Sequence, residues 1–132
     1  MISHIHLGIE DFPRAFQFYS AVLNELGLVL KFSDPEKSWA GWVAPHAPRP
    51  LFLIGKPYNG EPASAGNGQM VALLAPSRPA VERAYEQAIS LSATCEGAPG
   101  LRPHFHPDYY GAYFRDLDGN KIGICCHDPV VS

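Results

Sequence analysis

Tyr109-Tyr110-Gly111-Ala112-Tyr113-Phe114-Arg115-Asp116-Leu117-Asp118-Gly119-Asn120-Lys121-Ile122-Gly123-Ile124-Cys125-Cys126-His127 is the stretch on which the fold turns. Its two flanks, Gly111 to Arg115 and Lys121 to His127, are rich in aromatic and β-branched residues, which favour a pleated, half-buried strand. Asp118-Gly119-Asn120 between them supplies the positive φ that a tight hairpin needs. The stretch therefore predicts a β-hairpin near the C-terminal end of the chain.

Working outward, the first residues alternate. Ile5, Leu7 and Ile9 point to one face of a strand spanning Ser3 to Ile9, and His4, His6 and Gly8 point to the other. Asp11 then offers an N-cap and Pro13 a first-turn proline. Ala15, Phe16, Tyr19, Val22, Leu23 and Leu26 recur at helical spacing until Gly27, predicting a helix over Phe12 to Leu26. Leu28 to Phe32, Trp39 to Val43 and Leu51 to Gly55 read as short strands separated by turn-forming residues. Lys56 to Gly68 is loaded with Pro, Gly, Asn and Ser, the composition of a linker or of a loop at a pocket mouth.

After that loop the pattern restarts. Gln69 to Ala75 reads as a strand, Ser77 as an N-cap and Pro79 as a first-turn proline. Val81, Ala84, Tyr85, Ala88 and Ile89 form the apolar stripe of a second helix, and Thr94 to Glu96 reads as a short strand before the hairpin. The two halves align at an offset of 66 residues: Asp11 matches Ser77, Pro13 matches Pro79, Tyr19 matches Tyr85 and Val22 matches Ala88. A cap, a proline and an aromatic kept in register imply two copies of one β-α-β-β-β unit.

The segment Tyr-Gly-Ala-Tyr-Phe-Arg-Asp-x-Asp-Gly-Asn-Lys-Ile (residues 110–122) is similar to the C-terminal signature of the glyoxalase, bleomycin-resistance and extradiol-dioxygenase group, the vicinal oxygen chelate superfamily. The resemblance implies an α+β fold of two tandem β-α-β-β-β modules that form a curved, cup-like mixed sheet with helices outside. The chain is then a single domain over residues 1–128, with module one at about 2–55, the linker at about 56–68 and module two at about 69–128. In that family, inward-facing residues of the first and last strands of each module hold a divalent metal. At these positions the chain carries His4, Met70, Gly123 and, near Leu53 or Ile54, an apolar run. The metal set that the resemblance implies is thus reduced to His4: a thioether, a bare backbone and an aliphatic group offer little to a hard ion.

Composition narrows the field. The chain has 132 residues, 46% hydrophobic and 17% charged, enough for one domain with a core that needs no staples. A formal net charge of −3 gives no basic footprint, so neither nucleic acid nor an anionic membrane is an expected partner. The opening Met-Ile-Ser-His-Ile-His has neither the charged nor the apolar region of a secretory leader, and the expected location is the cytoplasm. Cys95, Cys125 and Cys126 are an odd number with two adjacent, which argues against a disulfide framework. Buried thiols behave as small apolar groups, so the cysteines read as packing residues rather than nucleophiles.

Three functions remain open. The first is a metal-free binding protein whose cup takes a compact apolar or aromatic molecule. Its expected wall is His6, Trp39, Trp42 and Met70, completed by Tyr110, Tyr113 and Cys125. Trp39 and Trp42 stand on opposite strand faces, so one lines the cup while the other packs under a helix. The second is a metal-dependent glyoxalase-like lyase, isomerase or dioxygenase with a site rebuilt from His4 and other histidines; alternation puts His6, Cys125 and His127 on the cup face, and His104 and His106 enter the hairpin. The third is a dimeric scaffold with a vestigial cup. A C2 homodimer is expected under all three, because open sheet edges and the implied pairing of modules across chains favour it.

Overall fold

The computed structural model describes residues 1–130. The chain runs β1 (His4–Gly8), α1 (Phe12–Glu25), β2 (Val29–Asp34), β3 (Trp39–Val43), β4 (Leu51–Gly55), β5 (Val71–Leu74), α2 (Arg78–Ser90), β6 (Thr94–Leu101), β7 (Tyr110–Arg115) and β8 (Lys121–Cys126). The strands form two four-stranded mixed sheets with the same topology, β1-β4-β3-β2 and β5-β8-β7-β6. In each, the first strand runs parallel to the last and the other pairings are antiparallel. The fold is α+β, two tandem β-α-β-β-β modules, and no barrel closes.

The internal repeat is visible in the helix starts. Asp11 accepts a hydrogen bond from the amide of Arg14 at 3.2 Å, and Ser77 accepts one from the amide of Ala80 at 3.2 Å. Both helices carry a proline in the first turn, where no amide partner is lost. Gly27, at φ +81°, follows the C-cap of α1 and turns the chain into β2.

Each helix lies on one face of its sheet. Ile9, Phe18, Tyr19, Val22 and Leu23 pack beneath α1 with Phe52 and Ile54, while Val81, Ala84 and Ala88 of α2 meet Phe114, Ile122 and Ile124. The helices also touch each other, so one continuous core joins the modules. Period-two alternation then sends the remaining side chains, His4, His6, Leu53 and Gly55 on one sheet and Gly123 and Cys125 on the other, to the faces turned away from the helices.

The hairpin loop is a second joint. Asp116, 5% exposed, accepts from the amides of Asp118 (2.9 Å) and Asn120 (2.8 Å), from the Asn120 side-chain amide (3.0 Å), and from the hydroxyl of Tyr19 on the other module. Asn120 also donates to the Gly8 carbonyl at 3.0 Å, and Asp118 accepts from the amide of Glu10 at 3.0 Å. These residues close the hairpin and clamp it to the end of β1.

Several boundaries differ from the sequence reading by one or two residues, and that of β6 by more. β6 runs eight residues, from Thr94 to Leu101, rather than ending at Glu96. Register shifts between Cys95 and Gly100 let the strand bend past Gly97 and stay paired with β7, and such irregularities break the alternation that marks a strand in sequence. β2 ends at Asp34 rather than Phe32, because a shift between Leu30 and Phe32 does the same.

Candidate functional site

The face of β1, β3 and β4 that turns away from α1 opens into a cavity of about 920 Å³. His6, Gly8 and Gly55 form its floor, Trp39 and Lys37 one wall, and the linker from Lys56 to Ser64 its rim. Glycine keeps the floor low: a Cβ at Gly55 would come within 2.9 Å of His6 Nε2, and one at Gly8 within 3.3 Å of Ala63 in the linker. Trp39 is 37% exposed and meets Phe32 edge-on, with ring centroids 4.5 Å apart. Tyr58, on the linker, is fully exposed.

The linker is tied down over this cavity. Glu10, whose amide is held by Asp118, accepts a hydrogen bond from the amide of Ala63 through its carboxylate. The same hairpin that joins the modules thus reaches the rim. The reading of residues 56–68 as a loop at a pocket mouth is the sequence feature that anticipates this arrangement.

The second sheet has a smaller concavity of about 390 Å³, lined by Met70, Arg102, Phe105, Tyr113 and Lys121 among others. Here aromatic side chains fill the space over the glycines. A Cβ at Gly123 would sit 3.1 Å from the Tyr113 ring, and one at Gly111 would sit 2.8 Å from the ring of Tyr109. The two hydroxyls, Tyr109 and Tyr113, are hydrogen-bonded at 2.8 Å, and Arg102 lies over the Tyr113 ring at 5.6 Å. Burial and the Tyr113 hydroxyl hold the Tyr109 phenol well above its usual range.

Of the residues singled out from sequence, His6 and Trp39 share the larger cavity, while Met70 and Tyr113 share the smaller one. His4 is exposed at the start of β1, and its Nδ1 is 2.9 Å from Ser3 Oγ. Trp42 is the tryptophan that packs under a helix: it is 3% exposed and lies against Phe16 and Phe52. Tyr110 likewise leaves the cup, since its hydroxyl donates to Glu82 of α2 at 2.7 Å and Arg78 stacks on its ring. Both depart from the expected wall for one reason: side chains of even parity on β3 and β7 face the helices. The residues missed in sequence are Lys37, Lys56 and Tyr58, which border strand ends on the open face and carry no motif.

Cys125 is buried, and its Sγ is 3.5 Å from His127 Nε2; His127 Nδ1 is in turn 2.8 Å from His106 Nε2. Burial pushes the Cys125 thiol up from its usual value, the opposite of what a nucleophile needs. At the other site, burial and then the charge of His4 lower the His6 imidazole, which is therefore uncharged at neutral pH.

The positions that the family resemblance assigns to a divalent metal do not suit one. Gly123 pairs with Ala72 as Leu53 pairs with His6, so Leu53 is the counterpart of Gly123 in the first module. The donor set is then one imidazole, a thioether, an aliphatic group and a backbone covered by Tyr113, with no carboxylate. Among the described residues, no three of His, Cys, Asp and Glu are grouped to hold a metal ion. No helix among them is long and apolar enough to cross a membrane.

Comparison with known proteins gives the family. Residues 1–124 match the model of the glyoxalase/bleomycin resistance protein/dioxygenase superfamily. A glyoxalase/bleomycin resistance protein from Albidiferax ferrireducens T118 is 34% identical, with a TM-score of 0.85, over 96% of this chain and 98% of that one. A lactoylglutathione lyase from Agrobacterium tumefaciens is 21% identical with a TM-score of 0.63 over 96% and 92% of the chains. A family enzyme from Burkholderia phytofirmans PsJN is 18% identical with a TM-score of 0.70 over 96% and 98%. At those two identities the likeness is one of fold. Among curated proteins there is no match. With a family model matched over nearly the whole chain and a relative above 30% identity along its full length, the chain belongs to the glyoxalase/bleomycin resistance protein/dioxygenase superfamily.

Proposed function

We propose that this protein binds a compact apolar or aromatic molecule in the first-module cavity and does so without the family's metal. The observation that carries this reading is the pairing of a 920 Å³ opening on the β1-β4-β3 face with a second-module face whose ligand position, Gly123, lies under the Tyr113 ring. The volume falls within the range of small-molecule sites. Trp39 and Tyr58 present aromatic surface to it, and His6 offers a neutral hydrogen-bonding group.

A homodimer is part of the proposal. Met70 and Leu74 are large apolar side chains left 44% and 70% exposed on the open side of the second module. A second copy laid across the open faces would cover them and narrow the cavity mouth. The cytoplasm is the proposed location.

A thermal-shift screen of aromatic and apolar compounds, with metal content measured by elemental mass spectrometry, tests the reading. A ligand at a hundredfold excess over its Kd adds about 2.7 kcal/mol of stability, an easily measured rise in Tm. The expected protein is metal-poor, stabilised by one or more aromatic compounds and indifferent to chelator. Stoichiometric metal whose removal lowers Tm would overturn it.

That outcome would favour the second reading, a glyoxalase-like lyase, isomerase or dioxygenase with a displaced metal site. Cys125, His127 and His106, linked in a line at 3.5 and 2.8 Å, would have to rearrange to converge on one ion.

A further inference from the structure

The rim of the large cavity is charged, and its sign is opposite to that of the molecule. Lys37 and Lys56 both line the opening, just beyond the end of the β3-β4 ladder where Trp39 pairs with Gly55, with Glu61 the acidic residue of the lining. Neither lysine is in an ion pair among the described residues, where the pairs are Arg78 with Asp108, Arg83 with Glu25 and Arg115 with Glu96. The chain as a whole carries −3. A cationic rim on an acidic protein is a local arrangement, not a consequence of bulk composition.

Two aromatic side chains line the same opening. Trp39 rises from the strand floor, and Tyr58 extends from the linker with its whole side chain in solvent. Trp39 has an edge-on neighbour in Phe32, and Tyr58 has no aromatic neighbour among the described residues. Two exposed aromatic side chains and two lysines lining one opening match a flat ring bearing one acidic group.

We propose that the cavity is selective for aromatic carboxylates, with the ring between Trp39 and Tyr58 and the carboxylate at Lys37 and Lys56. This rests on the binding reading above and adds to it the charge of the ligand. His6 supplies a neutral donor or acceptor to the ring's polar substituent or to the second carboxylate oxygen. Selectivity comes from the rim, so it weakens with salt, whereas ring stacking does not.

Calorimetric titration with three ligands of nearly one shape, indoleacetate, indoleacetamide and tryptamine, at low and high salt separates the contributions. The carboxylate is expected to bind about tenfold more tightly than the neutral amide at low ionic strength, with the cation weakest, and the gap is expected to shrink in high salt. Lys37→Gln with Lys56→Gln is expected to bring carboxylate and amide to parity without moving the amide, while Trp39→Ala weakens both. Both lysines are exposed, so circular dichroism and Tm of the variant should match the parent. Equal affinities for acid and amide, tightest binding of tryptamine, or a carboxylate preference that survives the lysine changes would overturn the proposal and leave the binding reading standing. No binding of any of the three, with no hit in the thermal-shift screen, would remove both.

Discussion

Tyr19→Phe removes one oxygen from the interior, and the structure sets its cost. The hydroxyl donates to Asp116 across the joint between the modules, and Tyr19 is 1% exposed. A hydrogen bond to a charged group contributes about 1.5–3 kcal/mol. Asp116 keeps three other donors, the amides of Asp118 and Asn120 and the Asn120 side chain, so the carboxylate is not left bare. The expected loss is therefore about 2 kcal/mol, near a 7 °C fall in Tm for a chain of this length. The internal repeat supplies the control. Tyr85 is the counterpart of Tyr19 but is half-buried, and Tyr85→Phe is expected to cost no more than about 0.5 kcal/mol. Urea unfolding of both variants beside the parent measures the difference. Equal losses at the two sites, or a loss below about 0.5 kcal/mol for Tyr19→Phe, would refute the clamp.

The clamp also has a pH signature. Burial, and then the Asp116 charge, hold the Tyr19 phenol well above its ordinary value of 10.0. The folded state therefore keeps a proton that the unfolded chain releases, so this contribution is complete below pH 10 and is lost as pH rises through the folded value. Stability of the parent should fall more steeply above pH 10 than that of Tyr19→Phe, as followed by urea midpoints across the alkaline range.

Other outcomes follow from the same geometry. Trp42→Ala should cost about 3–5 kcal/mol by urea unfolding, and Trp39→Ala less than about 1 kcal/mol, because only Trp42 is buried under α1. Gly123→Ala should destabilise by about 1 kcal/mol in the parent and close to nothing in a Tyr113→Ala background, since the new Cβ meets chiefly the Tyr113 ring. Equal costs in both backgrounds would mean that the ring does not occupy that position. Glu10→Ala should speed hydrogen exchange at the Ala63 amide about fivefold to tenfold while exchange in α1 is unchanged, because the Glu10 carboxylate is the group that holds the linker.

Much of the fold was legible in the sequence because local chemistry dictates it. Asp11 with Pro13 and Ser77 with Pro79 mark helix starts through backbone amides that need acceptors, and the caps form as expected. The alternation of Ile5, Leu7 and Ile9 with His4, His6 and Gly8 sorts the faces of β1 without knowledge of its neighbours. The hairpin turn is local too: Gly119 takes φ +87° between paired Arg115 and Lys121. What local chemistry does not contain is the bend of β6, because a bulge breaks the periodicity that identifies a strand.

The candidate site was less legible. His6 and Trp39 were readable as open-face residues, but Trp42 and Tyr110 carry the same side-chain chemistry and face the helices. A ring's type does not tell which side of a sheet it occupies; register does. Lys37, Lys56 and Tyr58 were silent, since a lysine at a strand end usually faces solvent and becomes a rim only when a linker folds back beside it.

By itself, then, the sequence determined the two-module α+β plan, the helix starts and the family, all of which depend on contacts within a few residues or on a motif carried in one segment. Tertiary structure decided the rest. It set which tryptophan enters the cavity, it laid Tyr113 over Gly123, and it joined the hairpin of one module to the helix of the other through Tyr19 and Asp116. Those contacts bridge residues far apart in the chain, with 97 positions separating Tyr19 from Asp116, and no local propensity encodes them. They exist because burying the two apolar helix faces against each other brings the polar groups at their margins within reach.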